Sequence, residues 1–418
     1  MRGVRRGTRW VVGAALAASV AAGCTGGGAT PGKSAAQRSD TAAIERLLTA
    51  RSHAVVTHDS AAFDRGLDPR ATRFTAAQRQ VFADLADVPL ASWSYRVVRT
   101  GPAAFRLPAA VDGAHRTAAE VRLSYRLRGY DAQPVVSTAY LTFDRRGGRW
   151  YLAADDDGNA SGHRTDVQLW DQGRVRVVRG AHSLVLGLGD PARLREYAAD
   201  ADRAVPEVTH AWGADWPGTV VVEAPETEAQ LTALLGGGAD TYQDIAAVTT
   251  GEAGVGPGAP ADRVVVNPAA FGELSAFGRQ AVLTHETTHV ATRAATTAHT
   301  PLWLSEGIAD WVAYRDAGRT AREIAPELAA DVRAGRLPAA LPGAADFRPR
   351  AADLAQAYEG GWLACRMVAD QWSPQTLVAF YRAVARGGDL DARLRAALGI
   401  GLTEFTARWH TYLKEELA

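Results

Sequence analysis

Cysteine and lysine are almost missing from this chain of 418 residues, and neither sign of charge prevails, with 46 basic residues against 46 acidic ones. Cys24 and Cys365 are the only cysteines, so no disulfide framework staples the fold. No basic surplus exists to neutralise a phosphate backbone, and nothing points to nucleic acid as a partner. Lys33 and Lys414 are the only lysines; that bias towards arginine reads as genome composition. Beyond the N-terminus no apolar run is long enough to cross a bilayer. What is present is ordinary for a soluble globular protein: 47% hydrophobic and 22% charged residues, enough to bury large cores. The length suggests two to three domains.

The first residues read as a targeting segment. Arg2, Arg5, Arg6 and Arg9 precede a short apolar stretch from Trp10 to Ala22, which suits a signal-peptide core better than a membrane span. It ends in Ala21-Ala22-Gly23-Cys24, small residues before a cysteine that resemble a bacterial lipobox. Acylation at Cys24 would make the protein an exported lipoprotein held on the outer face of the membrane; plain secretion is the alternative. Thr25 to Asp40, rich in Gly, Ala and Ser, reads as a flexible tether.

Patterning divides the rest. Ile44, Leu47, Leu48 and Val55 give one helical apolar face, and a second helix is expected from Thr75 to about Pro89. The period then changes to two: Trp93, Tyr95 and Val97, then Val121, Leu123, Tyr125 and Leu127, predict strands, with a turn at Gly147-Gly148. Asp155-Asp156-Asp157 fails the calcium-loop pattern and reads as a solvated linker. Strands are expected at 174–178, 183–188, 219–223, around Val248 and at 263–267. A helix from Pro191 to Trp212 is expected to kink or split at Pro206. From about Ser275 the chain reads as largely helical. The fold class is therefore α+β: helices with a curved antiparallel sheet, then a small mixed sheet and an all-helical C-terminal part.

One helix carries the chemistry. His285, Glu286 and His289 lie in His-Glu-Thr-Thr-His. Residues four apart share a helix face, so both imidazoles can meet one cation, and Glu286 projects at the edge of that face. Apolar Ala281, Val282, Leu283 and Val290 make the helix buried, where two unpaired histidines are costly without a ligand or hydrogen bonds. A third ligand is needed, and Glu306 and His299 are the candidates; Ala295 stands where a third histidine would make a metzincin. Glu306, in Leu302-Trp303-Leu304-Ser305-Glu306-Gly307, enters from a second helix and leaves a fourth position open, as catalytic zinc needs. Cys365 reads as a buried small apolar residue.

These motifs resemble the gluzincin zinc metallopeptidases, the thermolysin and aminopeptidase-N group. The resemblance implies one Zn2+ per chain, held by His285, His289 and Glu306, with Glu286 as general base. It implies Asp310 as the carboxylate orienting a ligating histidine, where the alternative is a solvated charge. Ala357-Tyr358-Glu359-Gly360-Gly361 is similar to the segment whose tyrosine stabilises the oxyanion in the aminopeptidase-N branch, which implies that role for Tyr358; packing on Trp362 is the alternative. That branch's Gly-x-Met-Glu-Asn motif is replaced here by Gly254-Val255-Gly256-Pro257-Gly258, so an endopeptidase is expected. The strand at Val264–Asn267 is the expected edge on which a peptide would lie. The earlier helices and curved sheet resemble the cone of ketosteroid-isomerase-like domains.

The expected division is residues 1–23 signal peptide, 24–40 tether, 41–160 cone-like unit and 168–418 gluzincin-like peptidase. The expected function is hydrolysis of a peptide or protein substrate by an exported, lipid-anchored zinc enzyme. A tethered binding or scaffold lipoprotein that keeps the fold without turnover is the alternative.

Overall fold

A computed structural model describes residues 35–108, 115–237, 241–242, 245–250 and 261–418. The segment expected to be a signal peptide, Cys24 and Gly254–Gly258 lie outside the described residues.

The fold is mixed α and β. Helix α1 (Ala35–Thr57) buries Ile44, Leu48, Ala54 and Val55, the helical face that the spacing predicts. It begins inside the expected tether, because Asp40 accepts a hydrogen bond from Trp150 Nε1 at 3.1 Å and lies 3.6 Å from Arg145. Residues 35–40 are helix, the last six positions of the stretch read as tether. Helices α2 (Ser60–Asp64) and α3 (Thr72–Asp84) follow.

Strands β1 (Leu90–Thr100), β2 (His115–Leu127), β3 (Val135–Arg146) and β4 (Arg149–Ala154) form an antiparallel sheet in chain order. Trp93 pairs across the ladder with Tyr125, and the two rings pack with Trp170 in the core. Between β3 and β4, Gly147 and Gly148 take φ of 53° and 81°, the left-handed conformations a two-residue hairpin turn demands.

The acidic run after β4 is not the solvated linker expected. Asp157 pairs with Arg116 at 2.6 Å and accepts from Thr142 Oγ1 at 2.8 Å, while Asp155 accepts from Gln78 at 3.4 Å. Partners on distant elements draw these carboxylates into the fold, which an acidic triplet alone does not announce.

The second sheet contains β5 (Arg176–Arg179), β6 (Ser183–Gly187), β7 (Val220–Ala224), β8 (Ala247–Thr249) and β9 (Val264–Val266), in the order β5-β6-β7-β9-β8. The central β6, β7 and β9 are parallel, and β5 and β8 flank them antiparallel. Strand β9 is thus interior, and β5 and β8 are the edges among the described strands; the expected edge at 264–267 is corrected by one strand.

Helix α4 (Pro191–Trp212) makes the crossover from β6 to β7, as a parallel pair requires. Asp190 caps it, accepting from Ala192 N at 3.0 Å. It runs unbroken through Pro206, so of the expected kink or split the split does not occur. A proline costs a rung of about 3 kcal/mol, and burial of Leu194, Tyr197, Ala201, Val205 and Val208 offsets it. Helices α5 (Glu228–Leu235) and α6 (Pro268–Gly272) complete this layer.

The two sheets share one apolar cluster, in which Leu184, Leu186 and Val221 pack with Trp93, Tyr125 and Leu127. The remainder is helical: α7 (Ala276–Thr292), α8 (Leu302–Tyr314), α9 (Ala321–Ile324), α10 (Pro326–Arg333), α11 (Leu354–Gln371), α12 (Pro374–Ala385), α13 (Leu390–Leu398) and α14 (Leu402–Leu417). Their core gathers Leu304, Ile308, Leu363, Met367, Phe380 and Trp409, with Cys365 fully buried as expected. No helix among the described residues is long and apolar enough to cross a membrane.

Candidate metal centre

Helix α7 starts at Ser275, whose Oγ accepts from Gly278 N at 3.1 Å. Its second half is buried on every side, from Ala281 through His289. The sheet, α4 and α8 enclose it, which is why polar and apolar residues alike are covered there. His285 and Glu286 are fully buried and His289 nearly so.

Helix α8 brings the second set of groups. It packs against α7 and also against α11, and the latter approach is set by glycine. A Cβ on Gly307 would lie 2.3 Å from the carbonyl oxygen of Gly361, and one on Gly361 would lie 2.8 Å from that of Trp303. Only residues without a side chain allow these backbones to meet. The residue before Gly307 is Glu306, so this crossing fixes where that carboxylate enters.

The three ligand candidates converge. Nε2 of His289 lies 3.0 Å from Nε2 of His285, and Oε2 of Glu306 lies 3.3 Å and 3.4 Å from these nitrogens. On its other side His285 places Nδ1 2.8 Å from Oδ1 of Asp310. A proton on Nδ1, donated to Asp310, turns the lone pair of Nε2 into the triangle. Burial pushes the His285 pKa down, but the charge and hydrogen bond of Asp310, helped by Glu306, win and raise it well above the usual histidine range. Burial pushes Glu306 up, yet the two neighbouring imidazoles, the charge of His289 first among their effects, hold its carboxyl at about 2.

Glu286 faces the same space without joining the triangle. Its Oε2 accepts from Thr249 Oγ1 at 2.5 Å, and Oε1 has no hydrogen-bond partner among the described residues. Burial raises its pKa above the ordinary carboxylate value.

The donor set fits zinc. Tetrahedral zinc with arms of about 2.0–2.1 Å separates its ligands by roughly 3.3–3.4 Å, which the observed edges approach. Among the described residues Oε2 of Glu306 is buried with no hydrogen-bond partner, and the Nε2 atoms of His285 and His289 face each other at 3.0 Å. Lone pairs so arranged need a shared cation or proton. Two imidazoles and one carboxylate are the ligand set of an open catalytic zinc site, and three groups leave a fourth position.

Two further predicted residues are not among the three that converge. His299 is exposed and sits against Gly387, apart from the triangle. Tyr358 lies near the start of α11, half-buried, its ring edge-on to Phe347 at 5.1 Å. Trp362, the packing partner of the alternative reading, has its ring edge-on to Tyr314 at 5.6 Å.

Two residues went unread in the sequence. Thr249 carries no motif, and only its tertiary contact with Glu286 marks it. Tyr381 is buried behind the site, with Oη 2.7 Å from Thr296 Oγ1, and ties α12 to the segment following α7. A buried tyrosine on an amphipathic helix looks like ordinary core.

No model of a known protein family matches the chain, and no curated protein matches it in sequence. Solved structures similar to it are M1 zinc metallopeptidases. An alanine variant of a two-domain M1 zinc metallopeptidase bound to L-arginine is 14% identical, matched over 73% of this chain and 61% of that one, with a TM-score of 0.34. An alanine variant of an M1 zinc metallopeptidase from Deinococcus radiodurans is 15% identical over 58% of this chain and 52% of that one, with a TM-score of 0.31. The chain spans less than two thirds of either protein. At this level of likeness the functional argument belongs to the geometry of the site.

Proposed function

We propose that the chain is a zinc-dependent metallopeptidase in which His285, His289 and Glu306 hold the metal and Glu286 is the general base. The observation that carries this reading is the buried triangle of two imidazole nitrogens and one carboxylate oxygen, with a second, partly unpartnered carboxylate beside it. Zinc bound there supplies the Lewis acidity that lowers the pKa of water to about 7 and polarises a carbonyl.

The chain's own residues do the rest. Glu286 accepts a proton at Oε1 while Thr249 holds Oε2, and a buried carboxyl with a raised pKa is a better base near neutral pH. Asp310 keeps the His285 proton on Nδ1. Tyr358, on α11, is the proposed donor to the oxyanion. Strand β8 offers a backbone edge beside α7 on which an extended peptide can add a strand. Absence of the amine-binding motif favours endopeptidase cleavage, and the lipobox-like segment at Cys24 favours export and anchoring by a lipid.

The test is a pair of measurements on the purified protein. Stoichiometric zinc should survive dialysis, and Glu286→Gln should keep that zinc while cleavage of a peptide library falls roughly 10²–10⁴-fold. A zinc-free wild type, or a Gln variant that cleaves as fast, overturns the reading. Library profiles identical with and without chelator would make the chain a scaffold instead.

A further inference from the structure

The loop between β2 and β3 leaves the first sheet and docks on the second. Tyr130 Oη donates to Ser183 O at 3.2 Å, and Ala261 N donates to Pro134 O at 3.3 Å. Between them Asp131 meets Arg263 in a two-pronged pair, at 2.9 Å and 2.7 Å. The side chains are 2% and 3% exposed. Oδ2 of Asp131 also accepts from Leu127 N at 2.7 Å, which fixes the carboxylate to its own sheet. On the far side, Glu223 of β7 lies 3.5 Å from Arg263 Nε. One guanidinium is thus buried between carboxylates of two sheets, in the geometry where a planar fork gives most orientation.

Arg263 stands directly before β9, and its backbone leads to the metal centre. Arg263 N donates to Thr250 Oγ1 at 2.9 Å, and Thr250 N returns a bond to Arg263 O at 2.8 Å. The neighbour of Thr250 is Thr249, which holds Glu286. The neighbour of Arg263 is Asp262, which receives Arg293 Nε at 3.0 Å from the end of α7; Arg293 also reaches Thr250 O at 3.4 Å. Strand β8 has three residues and, among the described residues, one partner strand, too little ladder to fix its own position.

We propose that the Asp131–Arg263 pair makes the N-terminal unit a positioning element of the Glu286 site, bracing the β8–β9 pair from behind so that Thr249 and Arg293 hold the base and its helix in place. The catalytic consequence rests on the reading of Glu286 as a base; the bracing of β8 does not.

The experiment compares zinc-loaded full-length wild type with Asp131→Asn, Arg263→Lys and the triple variant Asp131→Leu, Glu223→Leu and Arg263→Met. The triple variant keeps the test open where a single change unfolds the chain, since apolar residues often replace a whole buried ionic cluster without loss of stability. Amide hydrogen exchange is read at 247–250, with 142–152 as reference. Exchange at 247–250 should rise roughly tenfold or more over an unchanged reference. In an active wild type, kcat should fall with KM unmoved. Wild-type protection at 247–250 in folded variants, or an equal rise across the chain, overturns the proposal. Should the wild type cleave no peptide, the peptidase reading fails, and the exchange comparison still judges the brace.

Discussion

Oδ1 of Asp310 lies 2.8 Å from Nδ1 of His285, although the two residues come from different helices. The carboxylate reaches the imidazole from behind, on the nitrogen opposite the triangle, and so sets both ring orientation and tautomer. Partners of this kind are worth about 10–100-fold in metal affinity. Asp310→Asn keeps the shape but loses the charge. It should weaken zinc by that factor in competition with a chromophoric chelator, while leaving the circular dichroism spectrum intact. Affinity equal to wild type would mean that the contact does not tune the ligand.

The same contact gives zinc uptake a pH dependence. In the metal-free chain the His285 pKa is raised, because Asp310 outweighs burial. Stability from this pair is present in full below the unfolded value of about 6.5 and is lost as pH rises through the higher folded value. Zinc needs the unprotonated ring and displaces that proton. The gap in melting temperature between zinc-loaded and chelated protein should therefore widen from about pH 6 to about pH 8. A gap that stays constant or narrows would contradict the assignment of His285 as a ligand.

Gly307 is where packing and chemistry meet. An added methyl would sit 2.3 Å from Gly361 O and 2.8 Å from Cys365 Sγ, and helix backbone cannot yield as a flexible side chain can. Overpacking of this kind costs about 1–3 kcal/mol, with the upper end expected against backbone. Gly307→Ala should lower the urea midpoint accordingly and, by displacing Glu306, weaken zinc as well. A midpoint within error of wild type would show that the α8–α11 contact is looser than these distances imply.

What the sequence made legible, and what it hid, follows from range. His285, Glu286 and His289 lie within five residues on one helix, so the period of 3.6 alone places them together, and Glu306 lies seventeen residues further on in the next long helix. Thr249 is 37 residues from Glu286 and Asp131 is 132 from Arg263. No local pattern joins such pairs; only the order of strands in the second sheet does. That order also misled the choice of edge, since a run of valines reads alike in β8's neighbour and at a sheet margin. Asp157 read as solvated because its partner, Arg116, belongs to a strand 41 residues upstream. Charge runs are legible as charge, and their pairing is a property of the fold.

Thr249 carries the last expectation. Its hydroxyl donates to Oε2 of Glu286 at 2.5 Å, and its strand is an edge of the second sheet that packs against α7. Thr249→Val keeps the branched shape that suits a strand and removes the donor. A buried carboxylate oxygen then has no partner, a loss of about 1–3 kcal/mol. That loss falls on the orientation of the base rather than on substrate binding, so kcat should fall roughly tenfold to a hundredfold with KM little changed. Zinc content should stay stoichiometric, because no ligand is touched. Steady-state kinetics beside metal analysis separate the cases: a rise in KM at constant kcat would move Thr249 from the base to the substrate, and lost zinc would make it part of the metal's support.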